Sequence, residues 1–234
     1  MNDSREYILN RVRSAKKDIQ GATSDSKLAG IRLQDHPTNL IPKRGDLDKE
    51  ARIALFIVEA EKVETTIVRI RASDQIPQEV VQYLKQNNLP SKIKTASSLG
   101  NLPWGTTLLE TEEGVAVGED EVSITQAFAG VAETGTLIKH SGPDAPTTLN
   151  FLPPTNIAVI EADEIYGNYE EVWKKLRGQS DENPQKTKTV KEFMPRTVNF
   201  ITGPSRTADI EQTLLLGAHG PQRLHIIIVD DELS

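Results

Sequence analysis

Apolar positions along the chain alternate between helical spacing and short strand-like runs, which is the pattern of an α/β protein. Residues 47–58 place an apolar stripe on one face of a predicted helix, and residues 77–87 predict a second helix that ends before Pro90. Thr66–Ile70 alternates as a short strand, and Ile93 lies in the next one. Helix and strand therefore follow each other as in a parallel sheet with covering helices.

The second half of the chain continues this pattern with shorter segments. Residues 136–140, 156–160, 198–201 and 224–229 predict strands, and residues 164–176 have the spacing of a helix. The middle segments leave no room for long crossover helices, so we expect some of these strands to be antiparallel. The fold class that we predict is α/β, with a single mostly parallel sheet and helices on both of its faces.

The amino-terminal region differs from this body. Residues 3–20 carry apolar side chains at helical spacing on a charged background, which predicts a peripheral helix that leans on the body or on another subunit. Residues 21–45 are rich in Gly, Ser, Asp, Pro and Asn and predict a loop. We therefore divide the chain into a helical arm and linker, residues 1–45, and an α/β domain, residues 46–234. Residues 178–195 predict a surface loop, with a lid as the alternative.

Composition excludes several kinds of chemistry. The 234 residues include no cysteine, so this chain offers no disulfide, thiolate metal ligand, cysteine-ligated iron–sulfur cluster or cysteine nucleophile. The net charge of -7 argues against nucleic-acid binding, and the basic clusters at residues 11–17 and 186–191 are interpreted as solvated surface. No apolar run approaches the roughly 18 residues of a membrane span, and the polar start does not resemble a signal peptide. We expect a cytoplasmic protein.

One candidate site lies in the segment FITGPSRTADIEQTLLLGAHGP, which starts at Phe200 and reads as a strand, a turn and a short helix containing Ile210 and Leu214. The first N–H groups of a helix have no internal partner and suit a carboxylate or phosphate. Arg206 would add a charge-assisted contact. The candidate ligand-binding residues here are Gly203, Ser205, Arg206, Thr207 and Asp209. The alternative is ordinary helix capping by Ser205 or Thr207, with Arg206 in solvent or paired with Asp209.

A second candidate is the turn between two apolar segments at Ala132-Glu133-Thr134-Gly135-Thr136. Glu133 stands just before a strand, where partial burial would suit it to acid–base catalysis. Thr134 and Thr136 can hydrogen-bond a ligand, and Gly135 permits a close approach of the backbone. A surface glutamate in an ordinary turn is the alternative.

Histidine provides a further candidate for proton transfer. His219 and Gly220 follow the predicted helix, with Gly217 in the position of a C-cap. The imidazole could reach a ligand, with Gly220 as a ligand-binding residue, or it could satisfy the last carbonyls of the helix. The chain has four histidines and no two of them share the spacing of metal ligands, so we predict no metal site.

The strings AETGTL, starting at Ala132, and TGPSRTADIEQTLLLGAHGP, starting at Thr202, resemble the lactate utilisation protein C family, whose defining unit is the LUD domain. The resemblance covers roughly residues 46–231. It implies a fold similar to the ribose-phosphate isomerase and CoA-transferase superfamily. It implies no established catalytic residue and no known cofactor. Two signatures so far apart in sequence are most simply explained by one shared pocket at the sheet edge.

The resemblance also implies a function, the oxidation of L-lactate to pyruvate in concert with two partner proteins, one cysteine-rich and one carrying iron–sulfur clusters. A chain without cysteine fits the member of such a trio that holds no cluster. The pocket would bind a small carboxylate or phosphate, with Glu133 or His219 handling a proton. Two alternatives stay open. The chain could be a non-catalytic assembly or regulatory subunit, or an independent enzyme like a sugar-phosphate isomerase or CoA-transferase.

Overall fold

The computed structural model describes residues 2–19, 30–32, 40–178, 194–208, 214–217 and 219–231. Two compact units divide the chain, residues 1–41 and residues 42–234. In the first unit, helix α1 spans Asn2–Ile19. Its apolar side chains Tyr7, Ile8 and Val12 are exposed.

The second unit holds all strands of the described residues and four further α-helices. The helices are α2 (Lys49–Glu61), α3 (Ile76–Gln86), α4 (Thr148–Phe151) and α5 (Tyr169–Leu176). The strands up to α4 are β1 (Thr66–Ile70), β2 (Lys92–Thr95), β3 (Glu110–Glu113), β4 (Val122–Gln126), β5 (Ala129–Val131) and β6 (Thr136–His140). The later strands are β7 (Thr155–Glu161), β8 (Ile165–Tyr166), β9 (Val198–Ile201), β10 (Arg206–Ala208), β11 (Leu214–Leu216) and β12 (Arg223–Val229).

Six strands form the main sheet in the order β1-β12-β7-β4-β2-β3, and every neighbouring pair is parallel. Its central strands β7 and β12 are buried along almost their whole length, as expected of a parallel sheet that is covered on both faces. Helix α3 packs on one face, where its apolar side chains share a core cluster with Ile227 and Val229. Helix α2 packs on the other, against Ile226 and Ile228. The predicted α/β class and its mostly parallel sheet are confirmed.

A second, four-stranded sheet in the order β8-β5-β6-β9 adds to the predicted architecture. Its β5–β6 and β6–β9 pairs are antiparallel, as expected for the closely spaced middle segments. Leu137 of β6 joins the core on the α2 face of the main sheet, whereas Ile138 packs with Val172 of α5. The small sheet therefore lies between the main sheet and α5.

Strand β9 corrects the prediction that residues 198–201 return to the main sheet. It pairs with β6, with Ile201 opposite Leu137. None of its four residues is fully buried, in contrast to the continuous burial of β7 and β12. The apolar composition of β9 predicts a strand correctly but does not specify which sheet it joins.

The predicted helix after Ser205 is wrong. Arg206–Ala208 and Leu214–Leu216 are strands β10 and β11, which pair antiparallel with Arg206 opposite Leu216. Gly217, expected as a helix C-cap, instead follows β11 with a φ of 82°. Asp209 and Ile210 lie outside the described residues. No helix N-terminus is therefore available at Ser205 and Arg206 to bind an anion.

Gly135 offers a direct test of how the turn between β5 and β6 packs. Its φ is 61°, and a Cβ atom there would lie 2.3 Å from the backbone nitrogen of Ala60 in α2. We expect Gly135→Ala to lower the free energy of unfolding by about 2–4 kcal/mol, because it adds left-handed backbone strain to a steric clash. Urea denaturation measures the loss.

Gly105→Ala is the matched control for this substitution. A Cβ atom at Gly105 would have no atom within 4 Å. We expect this variant to change stability by less than about 0.5 kcal/mol. Equal stability of the two variants would contradict the close packing of Gly135 on α2.

Candidate functional site

Glu133 stands in the turn between β5 and β6 and is only 5% exposed. Its backbone N–H donates to the carbonyl oxygen of Gly167 at 3.2 Å, which fixes the turn against the end of β8. Its side-chain Oε2 is buried and has no hydrogen-bond partner among the described residues. Glu133 forms a long ion pair with the Arg44 guanidinium, whose Nε lies 3.9 Å from Oε2 and whose side chain is 56% exposed. A buried carboxylate oxygen is thus left able to accept a hydrogen bond.

Four hydroxyl groups form a continuous hydrogen-bonded cluster beside this turn. The Thr136 Oγ1 lies 2.7 Å from the Oγ1 atoms of both Thr134 and Thr202. The Tyr169 hydroxyl, at the start of α5, lies 2.9 Å from Thr134 Oγ1 and 3.1 Å from Thr136 Oγ1. Each hydroxyl can donate once and accept twice, so a cluster of this kind can reorient its protons toward a ligand. We call Glu133, Thr134, Thr136, Tyr169 and Thr202 the acid–hydroxyl cluster.

The acid–hydroxyl cluster joins the two segments that the sequence singled out. Thr136 belongs to the first and Thr202 to the second, and their hydroxyls are in direct contact. Both segments also approach the end of α2 through glycines. A Cβ atom on Gly203, whose φ is 79°, would lie 2.7 Å from the carbonyl oxygen of Val63. The predicted proximity of the two segments therefore appears in the structure.

Arg206 is placed differently from the prediction. Its guanidinium forms an ion pair with Glu64, at 2.7 Å between Nη2 and Oε2. Both side chains are partly exposed, so the pair contributes little to stability. The proposed alternative partner, Asp209, lies outside the described residues. Thr207 is in β10, and its side chain is also outside them. The guanidinium of Arg206 would have to exchange Glu64 for a ligand in order to bind an anion.

Ser205, His219 and Gly220 lie close together in the connection between β9 and β12, which backbone hydrogen bonds hold in place. The Ser205 N–H donates to the Pro221 carbonyl at 2.8 Å, and its own carbonyl accepts from the N–H of Gly217 at 3.0 Å. The N–H of His219 donates to Ser205 Oγ at 3.3 Å. The His219 side chain is exposed, and no hydrogen bond or ion pair within the described part of the chain connects it to Glu133. Ser205 therefore organises this connection.

This connection lies at the amino edge of the main sheet. The N–H of Gln222, just before β12, donates to the carbonyl of Pro154, just before β7, at 2.8 Å. Glu64, the partner of Arg206, comes just before β1. Ligands of open parallel sheets gather at the opposite, carboxyl edge. The sequence placed the second segment at a strand-to-helix edge because it took β9 for a main-sheet strand followed by a helix, and both assignments are wrong.

Lys139 is a buried lysine that the sequence analysis missed. It is 2% exposed, and its Nζ donates to Thr125 Oγ1 at 2.5 Å and to Asn156 Oδ1 at 2.7 Å. Asn156 in turn donates to Ser123 Oγ at 2.9 Å. Burial lowers the pKa of Lys139 from 10.5 to about 7. The only signal in the sequence is a lysine inside the short strand TLIKH, and lysine at a strand end is ordinarily exposed.

Comparison with known proteins bears on this architecture. Residues 118–229, which include both signature segments, match the LUD domain model. A DUF162 family protein from Deinococcus radiodurans has a similar fold, with a TM-score of 0.56 at 19% identity over 78% of this chain and 99% of that one. The chain is thus an α/β protein of the LUD domain fold.

Curated relatives agree with this match. An uncharacterized protein of Neisseria meningitidis is 36% identical over 115 residues, which are 49% of this chain and 45% of that protein. Lactate utilization protein C of a Geobacillus species is 36% identical over 47% of this chain and 42% of its own length. Lactate utilization protein C of Bacillus subtilis is 33% identical over 57% and 53%. The matches span about half the length of these relatives. Over residues 118–229 the chain matches the LUD domain family, as its two signature strings predicted.

Lys139 makes stability depend on pH in a way that can be measured. Between pH 7 and 10.5, unfolded Lys139 holds a proton that the folded protein has released, so the free energy of unfolding rises with pH. The rise amounts to at most about 1.4 kcal/mol for each pH unit. We expect Lys139→Met, which replaces the ammonium with an apolar group of similar length, to abolish this contribution.

Urea denaturation of both proteins from pH 7 to about pH 9 measures the difference. The quantity compared is the slope of the free energy of unfolding against pH. This comparison removes the constant effect of losing the hydrogen bonds to Thr125 and Asn156. It also removes other groups that titrate in this range, since they are shared by the two proteins. Parallel stability curves would contradict a lowered pKa for Lys139.

Proposed function

We propose that this chain is a component of an L-lactate utilisation system that oxidises L-lactate to pyruvate. The observation that supports this role is its relation to proteins named lactate utilization protein C, at 36% identity to one and 33% to another. Oxidation of lactate removes two electrons and two protons. Because the chain has no cysteine, it has no thiolate to hold an iron–sulfur cluster. We assign the transfer of electrons to cysteine-rich and iron–sulfur partner proteins.

The acid–hydroxyl cluster is the proposed site for a small anionic ligand, with a hydroxy acid as the ligand that best suits its groups. Glu133 Oε2 lacks a donor, and the hydroxyl of a hydroxy acid supplies one. The Arg44 guanidinium, 3.9 Å from the same oxygen, is placed to bind the carboxylate. Glu133 would then accept the hydroxyl proton, while the two electrons and the proton of the broken C–H bond pass to the partner proteins as the carbon is oxidised.

The remaining predicted residues take supporting positions in this proposal. Gly135 and Gly203 bring the two segments onto the end of α2. Arg206, which is paired with Glu64, is a second cation that a carboxylate could recruit. His219 stays an alternative proton acceptor that would have to move toward the ligand, because its side chain is exposed beside Ser205. Cytoplasmic location remains part of the proposal, and the described residues contain no helix long and apolar enough to cross a membrane.

A non-catalytic assembly subunit is the second candidate function. One observation favours it: Tyr7, Ile8 and Val12 of α1 are 64%, 60% and 50% exposed, respectively. Ile8 and Val12 are four residues apart and share a helix face. Exposed apolar side chains on one helix face are typical of a surface that is covered in an assembly. The partner proteins of the lactate system are the proposed occupants.

Deletion of the gene in its source organism tests the first candidate. We expect growth on L-lactate to be lost and growth on pyruvate to be kept, because only the oxidation step would be missing.

Reintroduced wild-type protein should restore growth on L-lactate. Reintroduced Glu133→Gln should lower the rate of lactate consumption at least about tenfold relative to the wild type, since the amide is a poor proton acceptor. Glu119→Gln, at an exposed position, is the matched control. Full lactate consumption with Glu133→Gln would remove Glu133 from the mechanism.

Serine substitution at Tyr7, Ile8 and Val12 together tests the second candidate. We expect the triple variant to capture its partner proteins at least about tenfold less well than the wild type, because an apolar interface would be lost. Quantitative pull-down from the source organism measures this. Because the variant keeps the α/β unit unchanged, retained capture would show that α1 is not the contact surface.

A further inference from the structure

A separate cavity of about 380 Å³ lies at the carboxyl edge of the main sheet. Gln126, the last residue of β4, and Glu161, the last residue of β7, line it, together with Ser98 from the turn after β2. Its volume is within the roughly 300–1,000 Å³ typical of small-molecule sites. We call it the carboxyl-edge cavity.

Its position in the sheet is the one at which α/β proteins bind ligands. From β2 the chain proceeds to β3 on one side, whereas from β4 it proceeds through the small sheet to β7 on the other side. The strand order therefore reverses between β2 and β4, and the crevice outside such a reversal is the general binding place of open parallel sheets. Ser98 and Gln126 stand on its two sides.

The small sheet and α5 close the cavity with aromatic and charged groups. Phe128 and His140 are neighbours across β5 and β6, with ring centroids 4.8 Å apart. Lys175 forms an ion pair with Glu164 and also lies over the Phe128 ring, with its Nζ 4.6 Å from the centroid. Its Nζ further donates to the Phe128 carbonyl at 3.3 Å. The lysine is thus held by the wall of the cavity.

These groups disfavour a small anion. The carboxylates of Asp144, Glu161 and Glu164 line the cavity, and Lys175 is the one ammonium group among its lining residues. That ammonium is already paired with Glu164. An anionic ligand would lie among three lining carboxylates and one lining ammonium group, so repulsion would outweigh attraction.

The same groups suit hydroxyls. A sugar hydroxyl donates one hydrogen bond and accepts others, so it needs acceptors and donors side by side. The cavity provides carboxylate acceptors, and the Ser98 hydroxyl, Gln126 amide and His140 imidazole can each donate and accept. A carboxylate at the end of a parallel strand binds adjacent ribose hydroxyls in dinucleotide-binding sheets. We propose that the carboxyl-edge cavity binds a ligand through a pair of adjacent hydroxyls, as carried by a ribosyl group.

Two sources of this group can be distinguished with the full-length chain. The probes are D-ribose for a free sugar and adenosine for a nucleoside, each paired with its 2-deoxy counterpart, which lacks one hydroxyl of the pair. Thermal unfolding is followed at up to about 50 mM probe, at which a millimolar binder still stabilises measurably. We expect at least one ribo form to raise Tm, and its deoxy form to bind about tenfold more weakly, because a cavity group is left unpaired.

Variants locate the binding. We expect Glu161→Gln and Gln126→Leu each to weaken the ribo ligand about tenfold, whereas Glu119→Gln, at an exposed position, leaves it unchanged. Binding of L-lactate is measured separately and tests the proposed function. Its binding at the acid–hydroxyl cluster would not depend on Glu161 or Gln126. Three outcomes overturn the inference: no shift with either ribo probe, equal binding of ribo and deoxy forms, or wild-type affinity in both variants.

Discussion

The close approach of two glycines to the end of α2 is the constraint on which the acid–hydroxyl cluster depends. At Gly135 and Gly203 a side chain would collide with backbone atoms of Ala60 and Val63, and both glycines have positive φ values. Only because the chain comes this near can the Thr136 and Thr202 hydroxyls meet at 2.7 Å. The same turn holds Glu133 in a buried position, where its Oε2 lacks a donor. Backbone packing thus creates the polar site.

The small sheet explains why the two signature segments lie away from the usual ligand edge. Strand β9 runs antiparallel to β6, so the chain after Ile201 is delivered to the amino edge, beside the residues that precede β7 and β12. Strand β6 itself runs the other way, toward the carboxyl edge, where His140 lines the cavity. The family signature and the carboxyl-edge cavity are therefore two chemically different places. The first place combines a carboxylate with hydroxyl groups and the Arg44 guanidinium, and the cavity combines carboxylates with aromatic rings.

The sequence predicted the positions of single helices and strands better than it predicted which strands and segments contact each other. The predicted bounds agree with the structure to within about one residue for β1, β6 and the helix spanning Ile76–Gln86. Their apolar patterns repeat over several turns or residues, which makes the period clear. The β10–β11 hairpin was missed because its leucines fit a helical stripe equally well. The proximity of the AETGTL and TGPSRT strings followed from resemblance, since no local pattern encodes a contact between Thr136 and Thr202. Lys139 was missed because burial of a lysine is decided by tertiary structure.

Lys139 also suggests how the acid–hydroxyl cluster and the carboxyl-edge cavity are held in fixed positions relative to each other. An apolar contact between sheets, such as that of Leu137 with the α2 face, tolerates sliding, because it has no directional bonds. The Nζ of Lys139 is directional: it is held at once by Thr125 of β4 and Asn156 of β7. Burial disfavours the charged ammonium and so lowers the pKa of Lys139, and displacing the amine from these acceptors would leave buried polar groups unpaired. Since Thr136 begins the same strand and His140 ends it, about 13 Å apart at strand spacing, fixing β6 positions the acid–hydroxyl cluster and the cavity together.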